Sequence, residues 1–143
     1  MNEQDNVAVV KATYAAFQQG EIPALLERLT SDIKWFAVGP PGIIPTAGTR
    51  YGRNQVSQYF SILSATEELQ SFQAEEFIVD GNTVVSIGTL RTRVRETGGL
   101  LQTPWVHIFS FRNGKISEFR SFYDSAAAVE ARFNVHVMSA TLS

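Results

Sequence analysis

The dipeptide Asn113-Gly114, set between two long runs of alternating apolar and polar residues, constrains this chain more than any other feature. Asn-Gly is the pair favoured in a two-residue type I′ hairpin, whose central residues both need positive φ. It makes residues 101–112 and 115–123 neighbouring antiparallel strands and sets a register. Arg112 lies opposite Lys115 and Phe111 opposite Ile116. Counting on, Phe109 faces Glu118, His107 faces Arg120, Trp105 faces Phe122 and Thr103 faces Asp124. Side chains alternate along a strand. One face is therefore expected to carry Trp105, His107, Phe109, Phe111, Glu118, Arg120, Phe122 and Asp124. The other is expected to carry Val106, Ile108, Ser110, Phe119, Ser121 and Tyr123. The first face, aromatic with a few polar groups, has the make-up of a small-molecule pocket. The second, smoother face suits a subunit interface.

The remaining patterns complete an α+β chain. Val7, Val10, Tyr14 and Phe17 form one stripe of a helix over 5–19, stopped by Gly20. Pro23 opens a second helix, in the first turn where proline is tolerated. Thr30-Ser31-Asp32 breaks that pattern, and 33–38 reads as a strand. The Gly- and Pro-rich stretch 39–50 is a loop, apolar enough to cover something. A third helix fits 53–65. Strands follow over 72–79 and 84–95, joined at Gly81-Asn82. A short helix over 126–133 precedes a loosely ordered tail, 134–143. Four long antiparallel strands and three preceding helices pack most simply as one curved sheet wrapped around a helical layer. At 143 residues, the chain is expected to form a single domain with its core over about 5–133.

Composition narrows the chemistry. The absence of cysteine removes thiolate nucleophiles, disulfides and zinc–thiolate sites, and only His107 and His136 could supply imidazole. No metal site is expected. A net charge of −2 argues against a nucleic-acid partner. No apolar run approaches the ~18 residues of a spanning helix, and the polar, acidic N-terminus is unlike a secretory signal. A cytoplasmic protein with no membrane partner is the expectation.

Four segments together resemble the SnoaL-like proteins of the nuclear transport factor 2-like superfamily. They are Tyr14-Ala-Ala-Phe17-Gln-Gln-Gly20-Glu21, Ala47-Gly48-Thr49-Arg50-Tyr51-Gly52, Phe111-Arg-Asn-Gly114-Lys-Ile116 and Phe122-Tyr123-Asp124. The superfamily includes polyketide cyclases, ketosteroid isomerases and limonene epoxide hydrolases. The resemblance spans about residues 5–130. It implies a cone-shaped fold, N-terminal helices packed against a strongly curved, mainly antiparallel sheet, enclosing an apolar pocket and usually dimeric. Two specific activities are disfavoured by the residues present. The strand where the isomerases carry an aspartate base holds no acid, with Ala37 near that place. Their helix-1 tyrosine falls nearer Thr13 than Tyr14. The epoxide hydrolases need Arg and Asp two apart on a middle strand, whereas this chain has Arg91-Thr92-Arg93 there.

The cyclases of this family place an acidic general acid/base just after the last strand, which makes Asp124 the first catalytic candidate. A carboxyl enclosed in an apolar cone is a competent proton carrier. The alternative is that Asp124 simply N-caps the final helix. His107, on the same expected face, is the second candidate, for proton transfer or for a hydrogen bond to a ligand oxygen. Its alternative is a core histidine satisfied by Arg120 or Glu118. Trp35, Trp105, Phe109, Phe122, Arg120, Tyr14 and Tyr51 are the expected substrate-binding residues, although aromatics at strand spacing also serve as plain core. Arg91, Arg93 and Arg95 read as a solvated strand face or an interface rim, with an anion-binding stripe as the alternative. The expected ligand is a small hydrophobic, oxygenated molecule. The expected reaction is cyclisation, isomerisation or dehydration with no metal or organic cofactor. A non-catalytic binding or dimerisation module is the competing reading. A homodimer is expected to form through the outer sheet face, on Val85, Ile87, Val106, Ile108, Phe119 and Tyr123.

Overall fold

The structure, a computed structural model, describes residues 2–133. The tail expected over 134–143 lies outside the described residues.

Helix α1 (Glu3–Gln18) starts at a reciprocal cap, in which the Asn2 side chain accepts from the Asp5 N–H and the Asp5 carboxylate accepts from the Asn2 N–H. Gly20, at φ +74°, turns the chain into α2 (Ile22–Glu27), with Pro23 in its first turn. Strand β1 (Leu29–Ala37) begins four residues earlier than expected, because Thr30-Ser31-Asp32 are extended rather than a break. The loop after it closes with a short strand, β2 (Gly48–Tyr51), and α3 (Gly52–Thr66) follows. Strand β3 (Glu67–Asp80) also starts earlier than its apolar residues suggested. Strands β4 (Thr83–Val94), β5 (Leu100–Arg112) and β6 (Lys115–Tyr123) and helix α4 (Ser125–Arg132) complete the chain.

The six strands form one sheet in the order β2-β1-β6-β5-β4-β3. It is antiparallel except where β1 runs parallel to β6. The edge strand β3 is interrupted by register shifts at Leu69/Ser71 and Ala74/Glu76, the kind of bulge that bends a strand. Helix α3 packs on β1, and α1 against β3 and β4. The core fills the space between them, with Val10, Leu25, Leu29, Ile33, Val56, Trp105, Phe109 and Ile116 buried together. The apolar loop covers part of the structure, as its sequence implied. Ile44 and Ala47 are buried against Val94, Leu101, Ala128 and Ala131, which closes the sheet end beneath α4.

The hairpin forms as Asn-Gly requires, with φ of 52° at Asn113 and 79° at Gly114. Arg112 pairs with Lys115 and Phe111 with Ile116. Beyond that the expected register is corrected. The pairing slips between Ser110 and Phe111, so Ser110 faces Glu118, Phe109 faces Phe119 and His107 faces Ser121. Ser117 is the extra residue, and its hydroxyl donates to the Ser110 carbonyl at 3.2 Å. A one-residue bulge sends every later side chain to the opposite face. Phe119 and Ser121 are therefore buried inside with Tyr123 beside them, and Arg120 and Phe122 lie on the outer face beside Ile108 and Val106. On β5 the expected alternation holds, with Trp105, His107, Phe109 and Phe111 buried.

Candidate functional site

Between the helices and the concave sheet face lies a cavity of about 530 Å³, walled mainly by Phe17, Leu25, Trp35, Phe60, Phe109 and Phe119. Its size suits a small organic molecule, and its lining is mainly apolar, with polar side chains clustered at two places.

The first polar place is made by α1 and β5. The helical stripe that buries Val10 also turns Tyr14 inward, and strand alternation turns His107 toward it. The Tyr14 hydroxyl and His107 Nδ1 are 2.8 Å apart, joining residues 93 positions apart in sequence. The imidazole is wedged between aromatics. Trp105 stacks on it at 4.1 Å and Phe119 meets it edge-on at 4.8 Å. Burial pushes the imidazole down to about 3, so the ring is neutral near neutral pH. Burial also raises the Tyr14 phenol, a shift the nearby Ser86 hydroxyl opposes. The Ser86 oxygen is itself buried without a hydrogen bond in proper geometry. We assign the Tyr14 O–H as donor to Nδ1, because a buried phenol needs an acceptor and a neutral imidazole offers one. The ring proton then sits on Nε2, which forms no hydrogen bond with any described residue.

The second polar place joins β3, β6, α3 and α4. Arg132 Nη2 donates to Glu67 Oε2 at 2.8 Å, and the two side chains are only 9% and 11% exposed. Arg95, Tyr59 and Tyr123 line the same end. Burial pushes the Tyr123 phenol up to about 12, with the Glu67 charge adding and Arg132 opposing. Burial also raises the Tyr59 phenol, so both rings stay neutral.

The expected site residues divide accordingly. His107, Tyr14, Trp35 and Phe109 line the cavity. Trp105 is 1% exposed and stands behind His107 as its stacking partner rather than as a cavity wall. Arg120 and Phe122 are on the outer face for the reason given, so neither Arg120 nor Glu118 satisfies His107. Tyr51 is 60% exposed at the start of α3. Asp124 is exposed and caps α4, accepting from the Ala127 N–H at 3.0 Å. Its own N–H is held by Thr103 Oγ1 at 3.1 Å, and it is absent from the cavity lining. Of the arginine row, Arg91 bonds Gln70 and Arg93 pairs with Glu68 on the outer face, whereas Arg95 lies past the strand end and reaches the cavity. Glu67 and Arg132 were not singled out from the sequence. Nothing local marks them, since one opens a strand and the other ends a helix 65 positions away. Among the described residues, no group of three or more His, Cys, Asp or Glu is placed to hold a metal ion. No helix among them is long and apolar enough to cross a membrane.

Comparison with known proteins agrees with this architecture. An NTF2-like protein from Burkholderia xenovorans LB400 is 29% identical, with a TM-score of 0.84 over 92% of this chain and 98% of its own. An NTF2-like protein of unknown function from Burkholderia pseudomallei is 25% identical, with a TM-score of 0.84 over 93% and 99%. A protein from Xanthomonas campestris named as a polyketide cyclase shares the fold at 18% identity, with a TM-score of 0.74 over 92% and 99%. No curated protein matches. The sequence model of the SnoaL-like domain matches residues 10–119, and the chain belongs to that family.

Proposed function

We propose that this protein binds a small hydrophobic, oxygenated molecule in the cavity and that the Tyr14–His107 pair engages its carbonyl or hydroxyl oxygen. The observation that carries the reading is a buried imidazole on a cavity wall, held by a 2.8 Å bond to a buried phenol. With Tyr14 holding Nδ1, Nε2–H is a preorganised donor toward a ligand oxygen on which negative charge develops. That suits cofactor-independent cyclisation or isomerisation through an enol, a class in keeping with the name of the Xanthomonas campestris neighbour. The expected role of Asp124 as acid/base is not retained, because its carboxylate serves α4. Binding without turnover is the second reading, favoured because no hydrogen bond or ion pair joins a carboxylate to the pair among the described residues.

A thermal-shift panel of aromatic and terpenoid ketones tests the reading. A true ligand at about 100 times its Kd should add roughly 2.7 kcal/mol of stability. Tyr14→Phe should weaken that binding about three- to tenfold, the effect of one buried hydrogen bond. If no compound shifts the melting temperature, the cavity is structural. Product formation from a bound ketone separates the enzyme from the binding module.

We further propose that the chain pairs with a second copy through the outer sheet face. Val85, Ile87, Val106 and Ile108 are half-buried there, beside the exposed Ile78 and Phe122. Such a contiguous apolar surface is uncommon on a monomer. The bulge takes Phe119 and Tyr123 out of this patch and brings Phe122 and Arg120 into it. Arg120 sits opposite Ile108 and would shelter a carboxylate there, so Val106, between Ile87 and Phe122, is the sharper target. Val106→Asp should convert a dimer into monomers by light scattering at micromolar concentration. A monomeric parent protein would refute the pairing.

A further inference from the structure

We infer that the ligand of this cavity is an organic anion, whose carboxylate or ionised enol is held by Arg132 at the end opposite in character to the Tyr14–His107 pair. The inference rests on the cavity-binding reading above and specifies its substrate class. Three charged side chains line the cavity, namely Glu67, Arg95 and Arg132. Arg95 is exposed and its Nε donates to the Ser64 carbonyl at 3.1 Å, so the buried charges at this end are Arg132 and Glu67. Glu67 uses only one edge of the Arg132 guanidinium, through Nη2. Nη1 on the same group is buried and has no hydrogen-bond partner among the described residues.

A buried guanidinium donor without an acceptor is costly. Arg132 is held so by a neighbour that fixes its plane yet leaves a donor free. A guanidinium presents donors in a rigid fork that matches a carboxylate or an ionised enol. The neighbouring groups agree with an anion. The Tyr59 and Tyr123 phenols line this end and remain protonated, so they can donate to an oxygen but add no charge. The cavity walls are aromatic, so the body attached to the anion is apolar. A neutral hydrocarbon would leave Arg132 Nη1 unmet, and a cation would bring it no acceptor.

The pair also acts as a structural tie, joining α4 to the start of β3, and the test separates the two roles. Binding of 2-naphthoate and of its uncharged isostere 2-naphthamide to the full-length protein is measured by calorimetry. The acid should bind at least about tenfold more tightly than the amide. In Arg132→Gln that preference should vanish, whereas in Glu67→Gln, which removes the competing carboxylate charge, it should grow. Circular dichroism checks the fold of each variant. If Arg132→Gln does not fold, Glu67→Gln carries the test alone, and an unchanged preference there overturns the inference. Equal binding of acid and amide to the parent protein overturns it while leaving the cavity reading intact. Binding of neither probe overturns the inference, and the ketone panel then decides the cavity reading.

Discussion

Gly88→Val should destabilise the protein by about 3 kcal/mol or more, at the upper end of overpacking effects. Gly88 is ordinary strand backbone, so the cost does not come from its φ. It comes from space. Even a methyl group there would lie well inside contact distance of the Gln73 carbonyl oxygen on β3 and of the Trp105 indole on β5. Neither can retreat. The carbonyl belongs to the neighbouring strand, and the indole is stacked on Phe72 at 4.8 Å and on His107 at 4.1 Å. Trp105 could move only by pushing the imidazole off Tyr14. The substitution should therefore lower the urea midpoint and also abolish the ligand affinity that depends on the Tyr14–His107 bond. A variant within about 0.5 kcal/mol of the parent, the range of neutral surface changes, would mean that Trp105 does not lie against Gly88.

Acidification should destabilise the protein well above the usual range of carboxylate titration, through His107. The sign follows from linkage. Above the ordinary value of 6.5 the imidazole is neutral in both states and contributes no pH dependence. Below it the unfolded chain takes up a proton that the folded chain refuses until about 3, so stability falls as pH falls through that window. At about 1.4 kcal/mol per pH unit, the loss between about pH 7.5 and 5 is about 2 kcal/mol. Asp32 and Glu68, exposed carboxylates held below their ordinary range by Arg112 and Arg93, act only at lower pH. His107→Gln removes the titrating group, so its urea stability should be nearly flat over the same interval. Equal slopes for parent and variant would show that the imidazole is hydrated rather than buried.

The sequence carried local information well. Asn113-Gly114 specified its turn because few residue pairs tolerate two successive positive φ angles. The helical stripe of Val7, Val10, Tyr14 and Phe17 placed Tyr14 on the inner face. Alternation along β5 did the same for His107 and Phe109, because side chains in a strand have only two directions. Those two local rules put both members of the candidate pair inside, although neither rule said that they would meet. The apolar loop over 39–50 also announced that it covers something.

What the tertiary structure decided is everything that depended on counting across a bulge or on pairing distant chain segments. Ser117 adds one residue to β6, and with period-two alternation that single residue exchanged Arg120 and Phe122 for Phe119 and Ser121 in the cavity. The only trace in the sequence is that Ile116 and Phe119, both buried, are three apart rather than two. The same exchange left Asp124 at the head of α4, where its local signal as an N-cap was the better guide. Only the packing of Trp105 and Gln73 around Gly88 shows why no side chain fits there. The Glu67–Arg132 pair was invisible for the most general reason. An ion pair between a strand's first residue and a helix's last turn has no sequence period, and it exists only because the fold brings those two ends to one cavity.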